Sequence, residues 1–384
     1  MTDIFVYLPY EFDGVGASYT PVAITRHFAS AGMTPRIYIG TTRRPLPEGL
    51  DRALGHPSWL PRKGRFYTRG WATWRIERRL LADVRLAGPG AVVWLWPDAS
   101  LALVRALKKS GAFLIREMIN THRGTAKRIL DAESQRLGLP PQHAISDESI
   151  LLEQQELQLM DLVVSPSECV DDSLLEWNIP AARILKTSFG WDPDRLSICA
   201  DRPRPSPSER ITALFVGRIS IRKGVHLALD AWQMADVEGT FRLVGNVERD
   251  MEPILARHVA TGKVVHEAFT SDVASVYASA DFMLFPTLEE GAPLVCYEAG
   301  GCGVPILTSP MGAARFVEDG VNGRIVAPHD SNALATAIRQ LADDPALRGR
   351  MSANIRAKAM KYRWEDAASE RIRLLKARRN ASDA

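Results

Sequence analysis

Short apolar runs alternate with longer amphipathic stretches along this chain, break off at a proline-rich segment, and then resume. Residues 4–8, 35–39, 91–95, 112–115 and 162–165 read as buried parallel strands, with helical patterns between them at 20–30 and 101–109. Continuous apolar strands that alternate with helices imply a parallel sheet covered on both faces. Between 192 and 210 the pattern stops. Pro193, Pro203, Pro205 and Pro207 stand among polar residues there, a composition that favours an extended linker. The alternation then resumes, with strands expected at 212–216, 240–244, 263–265, 282–285, 304–307 and 324–326. Helices are expected at 224–232, 273–280, 294–301 and 333–341. A length of 384 residues is more than one ordinary core organises. The expected architecture is α/β: two Rossmann-like, doubly wound domains facing a cleft, residues 1–190 and 211–363, joined by a linker at 191–210. The last helical stretch, from Trp364 toward the basic end of the chain, is expected to pack back on the first half with 364–384. Such halves bind ligands at the carboxyl ends of their strands.

Composition removes several functional classes. A net charge of +3 is too mild to argue for nucleic acid. The four cysteines form no C-x-x-C pair, and no histidine cluster has zinc-ligand spacing, so a reduced cytoplasmic protein without structural metal is expected. Met1-Thr2-Asp3-Ile4 lacks a basic, then apolar, leader pattern. No apolar stretch reaches the roughly 20 residues of a membrane span. Any membrane contact is therefore expected to be peripheral, at the inner face.

Chemistry concentrates in the second half. The segment Leu214-Phe215-Val216-Gly217-Arg218-Ile219-Ser220-Ile221-Arg222-Lys223-Gly224 reads as a strand, a glycine-containing turn and a helix start. Helix N-termini attract anions; Arg218 can hold phosphate oxygens bidentately and Lys223 adds a point charge. A solvated basic turn is the plain alternative. Farther on, Glu290 and Glu298 are separated by seven residues. Carboxylates accept paired hydrogen bonds from vicinal hydroxyls, and eight fully helical positions span roughly 12 Å, about the reach from a ribose to the hexose of a nucleotide sugar. Glu290 as a loop charge and Glu298 as a surface residue is the alternative, although the helix around Glu298 is too apolar to leave a charge unpartnered. Two cations for a diphosphate and two acids for sugar hydroxyls point to a nucleotide-sugar enzyme. In the first half, Gly14 and Gly16 follow the first strand and allow close approach of a phosphate or acceptor; a tight turn explains them as well. A dinucleotide fingerprint would need Gly where Tyr19 stands. Arg43 and Arg44 leave an NADP-dependent oxidoreductase conceivable, but that reading does not account for Glu290 and Glu298. Residues 43–79 carry ten arginines and lysines against Glu48, Asp51 and Glu77, with Trp59, Phe66, Tyr67, Trp71 and Trp74 interleaved. An anionic membrane surface or polyanionic acceptor suits this stretch; a charged helix with inward-facing aromatics is the alternative.

Gly-Arg…Lys-Gly, then E-x7-E, then Gly303-Val304-Pro305-Ile306 resemble family 4 of the retaining glycosyltransferases, which have the GT-B fold. The likeness is clearest over 211–330 and extends more weakly to 161–167 and 189–192. It implies that Arg218 and Lys223 grip a donor diphosphate, that Glu290 contacts the transferred sugar, and that Glu298 contacts the ribose. It also implies that Gly217 and the backbone of Gly291, Ala292 and Leu294 approach the donor, and that His122 faces the sugar from the other domain, where a capping role is the alternative. The family often has Gly-Phe-Gly-Leu-Pro after the first Glu. Here Pro293 replaces a backbone N–H donor within Gly291-Ala292-Pro293-Leu294-Val295. By the same resemblance the donor is a UDP- or GDP-sugar, the acceptor hydroxyl belongs to a glycan, lipid-linked or small-molecule acceptor, no metal or other cofactor is required, and anomeric configuration is retained. A non-catalytic scaffold of the same shape is the remaining alternative.

Overall fold

The computed structural model describes residues 2–14, 16–56, 68–141, 143–199 and 210–382. Trp59, Arg62, Lys63, Arg65, Phe66 and Tyr67 of the basic aromatic stretch lie outside the described residues, as do 200–209 of the expected linker. Strands β1 (Thr2–Leu8), β2 (Met33–Ile39), β3 (Asp51–Leu54), β4 (Val92–Leu95), β5 (Phe113–Glu117), β6 (Leu162–Ser165) and β7 (Ile184–Lys186) form one sheet. Its order is β3-β2-β1-β4-β5-β6-β7 and the pairings are parallel. A second parallel sheet is built from β8 (Ile211–Val216), β9 (Gly239–Val244), β10 (Val264–Glu267), β11 (Phe282–Phe285), β12 (Ile306–Thr308) and β13 (Gly323–Ile325), in the order β10-β9-β8-β11-β12-β13. In each half the first strand is central. The chain winds outward to one side, then returns and winds to the other. A ligand crevice therefore opens at the carboxyl ends of β1 and β4, and of β8 and β11.

The central strands have no polar face because both faces are covered. Along β1, Ile4, Val6 and Leu8 enter one apolar core while Phe5 and Tyr7 enter the other. Val92 and Trp94 divide from Val93 and Leu95 in the same way on β4. Alternate side chains of a strand point to opposite faces, so an unbroken apolar run records double coverage. β3 was not expected: it is a four-residue edge strand, Asp-Arg-Ala-Leu, without an apolar run to mark it. Farther along 43–79 lies helix Arg69–Ala87, the charged helix given as the alternative for this stretch. The first helix, Gly16–Thr25, begins earlier and ends sooner than 20–30.

The chain crosses between the halves twice, and the crossings lie side by side. The Trp191 N–H donates to the Tyr362 carbonyl (3.0 Å), the Trp364 N–H to the Trp191 carbonyl (3.2 Å), and the Trp191 indole to Ala359 (2.7 Å). Helix Trp364–Ser382 then returns to the first half, as expected. Arg371, fully buried, donates to both Glu117 oxygens (2.7 and 2.6 Å), and Arg379 donates to the Gly90 carbonyl (3.2 Å). Cys169 and Cys296 are free thiols, but Cys302 is disulfide-bonded, which corrects the expectation of thiols alone.

Candidate active site

The loop after β8 and the loop after β11 meet at the crevice of the second sheet. Gly224 makes this possible: its φ is +65°, and a Cβ there would lie 1.9 Å from the Pro286 carbonyl oxygen. Only glycine brings the 217–224 turn so close to the end of β11. Lys223 Nζ consequently contacts Glu290 Oε1. Arg222 NH1 donates to the same oxygen (3.0 Å) and to the Glu289 carbonyl (3.0 Å), and lies 3.3 Å from Glu289 Oε2. Burial and then the neighbouring Arg222 guanidinium push the Lys223 amine well below its usual value, while the Glu289 carboxylate opposes them.

Glu298 sits on helix Leu294–Gly301 and accepts from the Tyr277 hydroxyl (2.9 Å), with Arg195 at 3.6 Å. Burial raises its carboxyl, against the opposing pull of Arg195 and Tyr277. The buried Cys296 thiol feels both Lys223 and Glu298, so these groups share one wall. Glu290 precedes the helix, which starts at Leu294 after Pro293. The helix occupies the expected 294–301, so a loop carries the first acid and the span of a fully helical pair does not apply. Arg218 stands apart at the rim, with its side chain 68% exposed and 3.7 Å from Glu248. Gly217 precedes it with a φ of +136°.

The first half closes directly on this wall. The Thr121 N–H and hydroxyl donate to Glu289 Oε1 (3.1 and 2.9 Å). Gly291 abuts Ile119, where a Cβ would stand 2.2 Å from the carbonyl oxygen. Ala292 is buried beside it. Next to this contact a cavity of about 370 Å³ opens between the halves, lined by Asp98, Arg116, Asn120 and Arg123 from one side and Arg222 and Glu289 from the other.

His122 does not line that cavity. It is fully buried, stacks on Trp177 (4.3 Å between centroids), and accepts the Gly124 N–H as the N-cap of helix Arg123–Arg136. Burial lowers its pKa to about 4, so the ring is neutral. The expected sugar-facing histidine is corrected to a capping one. Gly14 and Gly16 occupy the loop after β1 and the first turn of helix Gly16–Thr25, likewise outside the cavity lining. Arg222, Glu289, Thr121, Arg195 and Tyr277 were not singled out from sequence. The Glu289-Glu290 doublet was visible, but nothing in it tells which acid turns to which domain.

In the described part of 43–79, helix Arg69–Ala87 turns its acids inward: Glu77 accepts from Tyr7, and Asp83 from Arg36, Tyr38 and Arg79. Its outer face exposes Trp71 (48%) and Trp74 (52%), with Arg75 and Arg78 stacked over them.

This wall lies in a stretch that is similar to a known family. Residues 210–344 match the family described as Glycosyl transferases group 1. The matching stretch contains Lys223, Glu290 and Glu298. Glycogen synthase of Mycobacterium tuberculosis is 32% identical over 54% of this chain and 52% of its own length. D-inositol 3-phosphate glycosyltransferase of Xylanimonas cellulosilytica is 29% identical over 46% of this chain and 42% of its own. The chain spans about half the length of these curated relatives. Anabaena Alr3699/HepE, solved in complex with UDP, superposes with a TM-score of 0.68 at 16% identity, covering 98% of this chain and 100% of that one. The fold of the two halves together is GT-B.

Proposed function

We propose that this chain is a retaining glycosyltransferase of family 4, moving a hexose from a UDP- or GDP-sugar to an acceptor hydroxyl. The observation that carries the proposal is the contact of Lys223 with Glu290 at the β8–β11 crevice, inside the stretch similar to the group 1 family. The names of the relatives and the UDP held by a protein of the same fold support it. The donor lies along the second half. Lys223 and Arg218, the latter turning in from the rim, compensate charge on the leaving diphosphate. Glu290 receives hydroxyls of the transferred sugar and Glu298 those of the ribose. Gly217 and the backbone of Gly291, Ala292 and Leu294 border the donor. The bond from the anomeric carbon to the diphosphate breaks as the acceptor oxygen bonds to that carbon on the same face. The acceptor proton passes to a departing phosphate oxygen. The contacts of Thr121 and Ile119 with the Glu289–Gly291 loop hold the halves together and exclude water.

The test is a panel of UDP- and GDP-sugars, read by protection against thermal unfolding and by donor hydrolysis. At least one is expected to protect and to be hydrolysed. Protection without turnover would indicate a scaffold, and no protection by any would end the proposal. With cations of the chain opposite the diphosphate, turnover is expected to survive EDTA; its loss, and recovery on adding a divalent ion, would contradict that. Peripheral contact with an anionic membrane, through the arginines and tryptophans of helix Arg69–Ala87, is part of the same proposal. Among the described residues no helix is long and apolar enough to cross a membrane.

A further inference from the structure

The walls of the cavity between the halves carry both signs of charge, and its cations are already engaged. Arg116 Nε donates to Glu156 (2.7 Å), with Glu153 at 3.8 Å. Arg123 is bonded to Asp98. Arg222 is shared between Glu289 and Glu290. Four lining carboxylates, Asp98, Glu153, Glu248 and Glu289, face these three guanidinium groups. Glu248 has Arg218 as its partner; once Arg218 turns to a diphosphate, Glu248 loses that cation and the wall becomes more acidic.

A phosphate ester brings about −1.5 to −2 of charge. Entering here, it would have to take an arginine from its carboxylate or lie against one, and like charges brought together in a partly dry cleft repel strongly. Hydroxyls meet no such conflict. They donate to the carboxylates and accept from the guanidinium groups and the Asn120 amide. Met118, Ile119 and Ile145 supply the apolar surface that the C–H face of a sugar ring covers.

We infer that this cavity takes an uncharged polyol, a sugar or cyclitol unit, as the acceptor group, with Asp98 engaging its hydroxyls, and that it rejects phosphorylated sugars. The inference rests on the glycosyltransferase reading for the word acceptor, but the binding itself is testable without it.

Saturation-transfer NMR on the donor-free chain provides the test. Methyl α-D-mannoside, methyl α-D-glucoside and myo-inositol are compared with mannose 6-phosphate, glucose 6-phosphate and myo-inositol 3-phosphate. At least one neutral probe is expected to bind, and its phosphate to bind about tenfold more weakly or worse. Equal or tighter binding of the phosphates, or no binding by any neutral probe, would overturn the inference. Asp98 is 61% exposed at its side chain, so Asp98→Asn removes a charge without burying anything new. In that variant Arg123 is released and the preference for neutral over phosphorylated probes should narrow; an unchanged ratio would remove Asp98 from the site. Polyol binding alongside failure of every nucleotide sugar would sink the transferase reading and leave the cavity assignment standing.

Discussion

At the scale of single residues, the candidate site depends on a lysine held out of water. The Lys223 ammonium touches Glu290, and Arg222 bonds to the same carboxylate, so removing Lys223 leaves Glu290 with a remaining partner. Lys223→Ala is therefore expected to fold with a Tm close to that of the parent. Its kcat should fall about 10²–10³-fold, the loss typical when one group that stabilises developing charge is deleted. Steady-state transfer or donor hydrolysis measures this, and full activity in the variant would remove the diphosphate role. His122 shows the opposite lesson. A histidine after a strand end reads as a catalytic candidate, yet its Nδ1 is used by the Gly124 N–H and its ring lies against Trp177.

At the scale of elements, helix Arg69–Ala87 is anchored by one face and exposes tryptophans and arginines on the other. Ala72, Ile76, Leu80 and Val84 are buried at helical spacing, while Trp71, Trp74, Arg75 and Arg78 face outward. Reversing Arg75 and Arg78 to Glu should lower Tm only modestly: Arg75 gives up its hydrogen bond to the Gly55 carbonyl (3.1 Å), a loss of about 0.5–1.5 kcal/mol, and Arg78 is a surface change. Co-sedimentation with anionic vesicles at low salt should be lost, each basic group near such a surface contributing about 1 kcal/mol. Unchanged vesicle binding would remove this helix from any membrane contact. The terminal helix Trp364–Ser382 is tied down differently, by a buried ion pair. Arg371→Ala leaves the Glu117 carboxylate without its guanidinium, which costs about 3–5 kcal/mol. A markedly lower Tm is expected, partly restored when Glu117→Gln is added. Equal Tm in single and double variants would count against the pair as the anchor.

At the scale of the whole molecule, the halves are tied across the cleft by Glu133. It is buried on helix Arg123–Arg136 and bonded to Arg136 of its own helix and His226 of the second half (2.6 Å). Burial alone would raise this carboxyl, but the hydrogen bonds from His226 and Arg136 outweigh it and hold the pKa at about 2, down from 4.5. The folded value is depressed, so the unfolded chain takes up the proton first on acidification. This contribution, on the order of 3 kcal/mol, is present above pH 4.5 and is lost as pH falls through about 2. The Tm difference between parent and Glu133→Gln should be greatest above pH 4.5 and shrink toward pH 2; a constant difference would deny the linkage. Apolar periodicity alone determined the two doubly wound halves, because a strand covered on both faces must be apolar throughout wherever it lies in the chain. The cations of the 217–224 turn and the spacing of Glu290 and Glu298 were legible for a related reason: each depends on residue type in the turn or helix that follows a strand. What only the tertiary structure decided is who meets whom. Thr121 reaches Glu289 across 168 residues and Arg371 reaches Glu117 across 254. Local pattern reports that a side chain is buried, whereas its partner is set by how distant elements pack, and that information is not contained in any short stretch of sequence.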